Sequence, residues 1–322
     1  MPLWTPAVID TALWLDASDA TTITESGGLV SEWRDKSGLD RHASNTDPAS
    51  QPALTAAGMN GLDCLTFMDD LLNAPGVHIT TNAMFFIVAS LENTSDNFGR
   101  LLSLRKTGNA NDYDNTASII PVIRNSTSSG VGLYASSALR SSATASYATN
   151  MLMGSVVNTT QVQFFLNGTG GALANYTHAL DTSDGLRIGE GLTSGADFWN
   201  GKVAEVVIVE GADTDTRQII EGYLAWKWGL EANLPTGHPY KSAAPATYSV
   251  SGTITDATGT PCQRDIVVLD RVTKQIAATT TSDPTTGAYS ASLMSANEVA
   301  VIALDDAAGT TYNDVVARVV PT

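Results

Sequence analysis

Charge is what this chain has little of. Asp, Glu, Lys and Arg make up only 16% of its 322 residues, against roughly 25% in an ordinary globular protein. Acidic side chains number 33 and basic ones 17, a formal net charge of -16. A nucleic-acid surface needs clustered Lys and Arg to neutralise phosphates, and no such cluster is present, so nucleic acid is excluded as a partner. Cysteine is nearly absent: Cys64 and Cys262, about 200 residues apart, give neither a disulfide framework nor a Cys-based zinc site. No apolar run approaches the 18 or so residues that span a bilayer. The longest, 84–90 and 203–209, are strand-sized, so no membrane insertion is expected. No basic stretch precedes an apolar one near Met1, so no secretory signal is legible. Asn-x-Ser/Thr triplets beginning at Asn93, Asn125, Asn158, Asn167 and Asn175 then read as products of composition.

Catalytic patterns are missing too. Jelly-roll glycoside hydrolases place several carboxylates on one strand, because alternate residues project onto one face; this chain has no Glu-x-Asp-x-x-Glu run. Its glutamates are scattered: Glu190 sits in a Gly-Glu-Gly turn, Glu205 and Glu210 bracket a strand, and Glu221 falls in a helix-like segment. His42, His78, His178 and His238 lie near loops, with no Gly-x-Ser-x-Gly elbow and no His-Glu-x-x-His spacing. The expectation is that the protein is not an enzyme.

What is present is β pattern. Up to residue 241, short apolar runs alternate with Gly/Asn/Asp/Ser turns, giving eleven candidate strands: 12–15, 29–34, 64–67, 84–91, 101–105, 118–123, 132–134, 151–157, 161–166, 185–188 and 201–209. Residues 125–145, mostly Ser, Thr, Ala and Gly, read as an exposed loop or weak edge hairpin. One helix is expected over 214–229: Asp213, Thr214 or Asp215 can cap it, Ile219, Ile220, Tyr223, Leu224 and Trp228 form one stripe, and Gly229 and Pro235 stop it. Trp226 and Lys227 fall off that stripe. Residues 242–247, small and proline-containing, read as a linker. Residues 248–322 alternate at period 2 through six or seven short strands. Residues 1–245 hold 25 acidic and 13 basic side chains (25 against 13, net -12), and 246–322 hold 8 and 4 (net -4).

Three segments carry a resemblance: LWLDASD at 13–19, WRDKSGLDRHA at 33–43 followed by Gln51-Pro52, and EGYLAWKWGLEANLPTGHPY at 221–240. In these, which frame about residues 8–241, the first part of the chain resembles the concanavalin A-like, or laminin-G-like, jelly-roll domains found in phage virion proteins and bacterial surface proteins. The turn DATGTP at 256–261 resembles a loop of carboxypeptidase regulatory-like, immunoglobulin-like modules. The resemblance implies an all-β fold: a two-sheet jelly-roll sandwich with one closing helix (1–241), a linker (242–247) and a small immunoglobulin-like sandwich (248–322). Trp14 and Trp33 are expected to pack between sheets, Asp35 to accept backbone hydrogen bonds in its turn, and the LPTGHPY tail to lie back over the sandwich.

Two ligand chemistries are legible. Residues 109–115, Asn-Ala-Asn-Asp-Tyr-Asp-Asn, crowd oxygen donors into one loop, and calcium takes six to eight oxygens; Asp112 and Asp114 are the expected ligands. A sugar stacks its C–H face on a ring while its hydroxyls seek Asn and Asp, and Tyr113, Asn115 and Trp199 fit that description, although Trp199 directly precedes a strand and also suits a core. The expected function is a virion protein: a tail or baseplate accessory or adhesion protein that binds host-surface carbohydrate. It would be assembled in the host cytoplasm beside other virion structural proteins, as a homo-oligomer on the particle. Capsid decoration and glycan hydrolysis are the alternatives.

Overall fold

The computed structural model describes residues 3–80, 82–92, 98–104, 106, 108, 119–125, 130–177, 184–191, 197–256, 258–294, 296–304 and 315–322. The chain forms two compact units, residues 9–244 and residues 245–322 joined by the first eight. The N-terminal residues thus belong to the C-terminal unit, where Trp4 N–H donates to the Pro245 carbonyl at 2.9 Å. The domain expected to begin at residue 1 therefore starts its own fold at residue 9.

The larger unit is an all-β sandwich. One layer runs, in spatial order, Leu13–Asp16, Gly201–Glu210, Ala83–Ser90, Asn150–Val157 and Gln161–Leu166, all antiparallel. The other runs Ile23–Ser26, Leu29–Trp33, Ala43–Ser44, Leu72–Ala74, Leu186–Ile188, Arg100–Leu104, Ile119–Asn125, Gly130–Ala135 and Ala138–Thr144. Alternation sends Leu13, Phe85, Ile87, Met151, Met153, Phe164 and Ile208 from the first layer, and Leu72, Leu102, Val122, Val131, Leu133 and Ile188 from the second, into one core. All eleven expected strands are present.

Residues 130–144 form a hairpin, and Val131, Leu133 and Ala135 are core residues. Its turn, Ser136-Ser137, has φ of +46° and +58°. Both central residues of such a turn are left-handed, a conformation normally signalled by Asn-Gly, so a serine pair hid it.

The helix, Thr214–Lys227, packs on the outer face of the first layer, against strands Ala83–Ser90 and Asn150–Val157. Met84, Phe86, Val88 and Leu152 are buried on that face. Asp213 caps the helix by accepting from Thr216 N–H at 2.8 Å, and Ile219, Ile220, Tyr223 and Leu224 form its buried stripe. The tail 230–241 folds back along it: Trp226 Nε1 donates to the Tyr240 carbonyl, and Tyr240 crowds Gly222 so closely that a Cβ there would lie 2.6 Å away.

The smaller unit has a two-stranded sheet, Tyr248–Thr253 with Ala288–Leu293, and a four-stranded sheet in the order Ile276–Thr281, Asp265–Asp270, Val299–Ala303, Val315–Val319. Val250, Ile266, Val268, Leu293, Val299 and Val301 fill the space between them.

Candidate functional site

The motif residues that stand out in sequence meet beneath the helix. Strand Gly201–Glu210 alternates inward at Val203, and strict period 2 would send Glu205 into the apolar core. A bulge at Ala204, where pairing steps from Val203↔Ala89 to Glu205↔Val88, turns Glu205 to the helix side instead. There its carboxylate, fully buried, accepts from Trp14 Nε1 (2.7 Å), Trp228 Nε1 (2.7 Å), Tyr223 Oη (2.8 Å) and Lys227 Nζ (2.7 Å). Asp16 stands directly opposite across the strands, and Lys227 Nζ bridges the two carboxylates, 2.7 Å from Asp16 Oδ1. Lys36 then joins Asp16 (3.0 Å) to Asp19 (2.8 Å).

Burial raises the Glu205 carboxyl above its ordinary value, opposed by Lys227. Burial also works on Asp16, yet Lys227, Ser18 and Lys36 hold it below the usual value. Tyr223 is pushed far up by burial and by Glu205, so it stays a neutral donor. Every donor is spent inside this cluster's wall, and Glu205 meets no solvent. Its chemistry is that of a clamp between helix and sheet. Lys227, off the apolar stripe, is therefore the residue that ties the helix down electrostatically, a role that needs the tertiary pairing to be seen. A second tie joins Glu221, also buried, to Arg217 (2.7 Å to each oxygen) and to His238 Nε2 at 3.1 Å.

The accessible polar site lies beside the start of this helix. On strand Gln161–Leu166, Val162 and Phe164 face the core, so Gln161, Gln163 and Phe165 share the outer face. With Val156, Asn158, Leu173, Ala212, Thr214 and Arg217 they line a groove of about 260 Å³. Both glutamine amides are fixed from behind: Gln161 Nε2 donates to Asn175 Oδ1 (3.1 Å) and Gln163 Nε2 to the Gly171 carbonyl (2.8 Å). Their Oε1 atoms are left as acceptors. Asn158 Oδ1 takes the Thr160 and Gln161 amides, which leaves its Nδ2 as donor. Arg217 lies 4.3 Å over the Phe165 ring. Its Nη1 is spent on Glu221, and among the described residues nothing meets Nε or Nη2. Leu173, 57% exposed, supplies an apolar wall. The Arg217–Glu221 pair is neutral as a unit, so the groove offers fixed donors and acceptors around an apolar floor without selecting for charge.

Of the residues expected to bind ligand, Trp199 is corrected. It is fully buried in the main core, and its Nε1 donates to the Ser90 carbonyl at 3.0 Å, so no ring face is open to a sugar. Asp112, Tyr113, Asp114 and Asn115, and with them the expected calcium loop, lie outside the described residues. Among the described residues, no group of three or more His, Cys, Asp or Glu side chains is placed to hold a metal. No helix among them is long and apolar enough to cross a membrane. Asp35 accepts the amides of Trp14, Ser37 and Arg41 at 2.9–3.1 Å. Sequence reasoning missed the groove; its one local signal was the Gln-x-Gln-x-Phe alternation at 161–165.

Fold and site define a two-unit all-β protein whose larger sandwich carries a preorganised polar groove. No known family matches the chain, and no curated protein does. Among solved structures, it is similar to Trypanosoma rangeli sialidase in complex with sialic acid, at 11% identity and a TM-score of 0.46 over 70% of this chain and 34% of that one. It is also similar to the binding domain of botulinum neurotoxin serotype G (10% identity, TM-score 0.45, 97% of this chain and 71% of that one). A third is domain 4 of AbnA, an extracellular arabinanase from Geobacillus stearothermophilus, in complex with arabinotriose (10%, 0.43, 65% and 96%). The chain spans about a third of the length of the sialidases it matches. Because sialidases stand among these structures, the expectation of a protein that is not an enzyme is withdrawn. Likeness this distant assigns no activity in its place.

Proposed function

We propose that the larger sandwich binds a neutral glycan in the groove of Gln161, Gln163, Phe165 and Arg217. The observation that carries this reading is the pair of glutamine amides lining the groove, each held through its Nε2 with Oε1 left as an acceptor. A hydroxyl-rich ligand both donates and accepts; it would give hydrogen atoms to these oxygens and take them from Asn158 Nδ2 and Arg217 Nη2, with its C–H face on the exposed Leu173. Fixed amides cost little ordering entropy on binding. The test is a glycan array probed with the full chain, followed by titration of any neutral oligosaccharide that binds. Gln163→Ala should weaken binding about tenfold, the worth of one preorganised hydrogen bond. Silence across neutral glycans, or binding indifferent to this change, overturns the reading.

The resemblance of residues 13–19, 33–43 and 221–240 to domains of phage virion proteins supports a proposed setting: a jelly roll followed by an immunoglobulin-like module, carried as a tail or baseplate accessory among other virion proteins. Many copies on one particle convert weak single-site binding into avidity. Antibody labelling of intact particles in the electron microscope tests this, and label on the head would point to capsid decoration instead. The 109–115 loop is proposed as a calcium site; an unchanged melting temperature at millimolar calcium would remove it.

A further inference from the structure

The C-terminal unit carries more apolar sequence than its core uses. In DIVVLD, EVAVIALD and VVARVV apolar residues follow one another, the pattern of strands covered on both faces. One face is covered: Ile266, Val268, Val299, Val301 and Ala303 point into the sandwich. On the other face Val267, Ile302 and Val316 stand in one row across three strands, and Ile276, Leu269 and Ala300 in the next. Val316 is 65% exposed and Ile276 63%. Val267, Leu269, Ala300 and Ile302 between them are half-buried, and an apolar sheet face left partly open in this way marks an interface.

The ends of the face differ in charge. At one end lie Arg318, in register with Ala300, and Arg271 and Lys274 in the neighbouring turn. Glu298 pairs with both arginines, and Asp270 turns its carboxylate back onto the Val272 and Thr273 amides. Three cations against two carboxylates leave that end positive. At the opposite end Asp265 is exposed, in register with Thr281. Arg264 beside it falls on the other face by alternation, where it acts on Asp256.

We infer that this face joins two copies of the chain, sheet against sheet. A twofold axis running between the sheets along the strands would lay the two positive ends over one another, Arg318 of each copy over the Arg271–Lys274 turn of the other. An axis running across the strands lays each strand over its own reversed counterpart, so that Asp265 of each copy falls over the Arg271 end of the same strand in the other, and the charge distribution selects it. The apolar rows then bury one another and the polar ends pair.

Sedimentation velocity and light scattering of the full chain over a concentration series test this. A concentration-dependent dimer is expected. Val316→Glu and Ile276→Glu, both at exposed positions outside the core, should each give a monomer with an unchanged circular dichroism spectrum. Asp265→Arg should raise the dimer Kd about tenfold, as placing like charges across an interface does, and adding Arg271→Asp to it should restore the original value. A chain monomeric at every concentration, a dimer untouched by both glutamate variants, or a double variant that stays weak would each overturn the inference.

Discussion

Glu205 is the single side chain on which most depends. Four donors from two elements, the first strand and the helix with its C-cap, converge on it, and two of them are indole N–H groups. Removing the carboxylate leaves Lys227 facing Asp16 alone and strands the indoles, so Glu205→Ala should cost about 3–5 kcal/mol, the penalty for breaking a buried pair from one side; urea unfolding measures it. Nearby, hydrogen bonds from Lys36 and Thr21 hold the Asp19 carboxyl down at about 2, against 3.8 ordinarily. Asp16 is lowered as well. Both folded-state values lie below the unfolded ones, so the stability these groups add is full above about pH 4 and is lost as pH falls toward 2. Thermal melts across that window should fall less steeply for Asp19→Asn than for the native chain. Burial pushes the Cys64 thiol up to about 11, so maleimide should label it only on unfolding.

The helix and its returning tail act as one element. Apolar spacing and an N-cap are local features, and both are legible in the sequence: the helix starts at Thr214 behind its Asp213 cap and ends before Gly229, whose φ is +70°. Its attachment is not legible, because His238–Glu221 and Lys227–Glu205 pair residues that only folding brings together. Gly222 shows how tight the attachment is. Gly222→Ala would drive a methyl into Tyr240, and overpacking of this kind costs about 1–3 kcal/mol; chemical denaturation should show that loss. Helix propensity alone predicts a gain from the same change, so the sign decides which effect governs. At the strand level, Gln161 and Gln163 alternate with Val162 and Phe164 as any half-buried strand does. Nothing in that pattern tells a solvated glutamine from one whose amide is tied from behind by Asn175 or Gly171.

At the scale of the whole molecule, the low charge count and the β periodicity established an all-β chain, and the motifs at 13–19, 33–43 and 221–240 marked the larger unit. Those motifs proved to be the parts that hold the helix to the sheet: Trp14, Asp16, Asp35, Lys36, Tyr223, Lys227 and Trp228 all serve the buried polar ties or the turn beside them. The acidic balance belongs to both units, and in the smaller one its few cations gather at one end of an apolar sheet face. What the sequence by itself determined was what depends on near neighbours: strands from alternation, and the helix from its stripe and caps. Only the tertiary structure decided the rest. Trp199 became core because two layers close over it, residues 3–8 joined the C-terminal unit through a strand bridge from Leu3 to Ala246, and Glu205 left the core face because one bulged residue reversed the alternation. Each of these is settled by pairing across the chain, where register and layer closure set which way a side chain points.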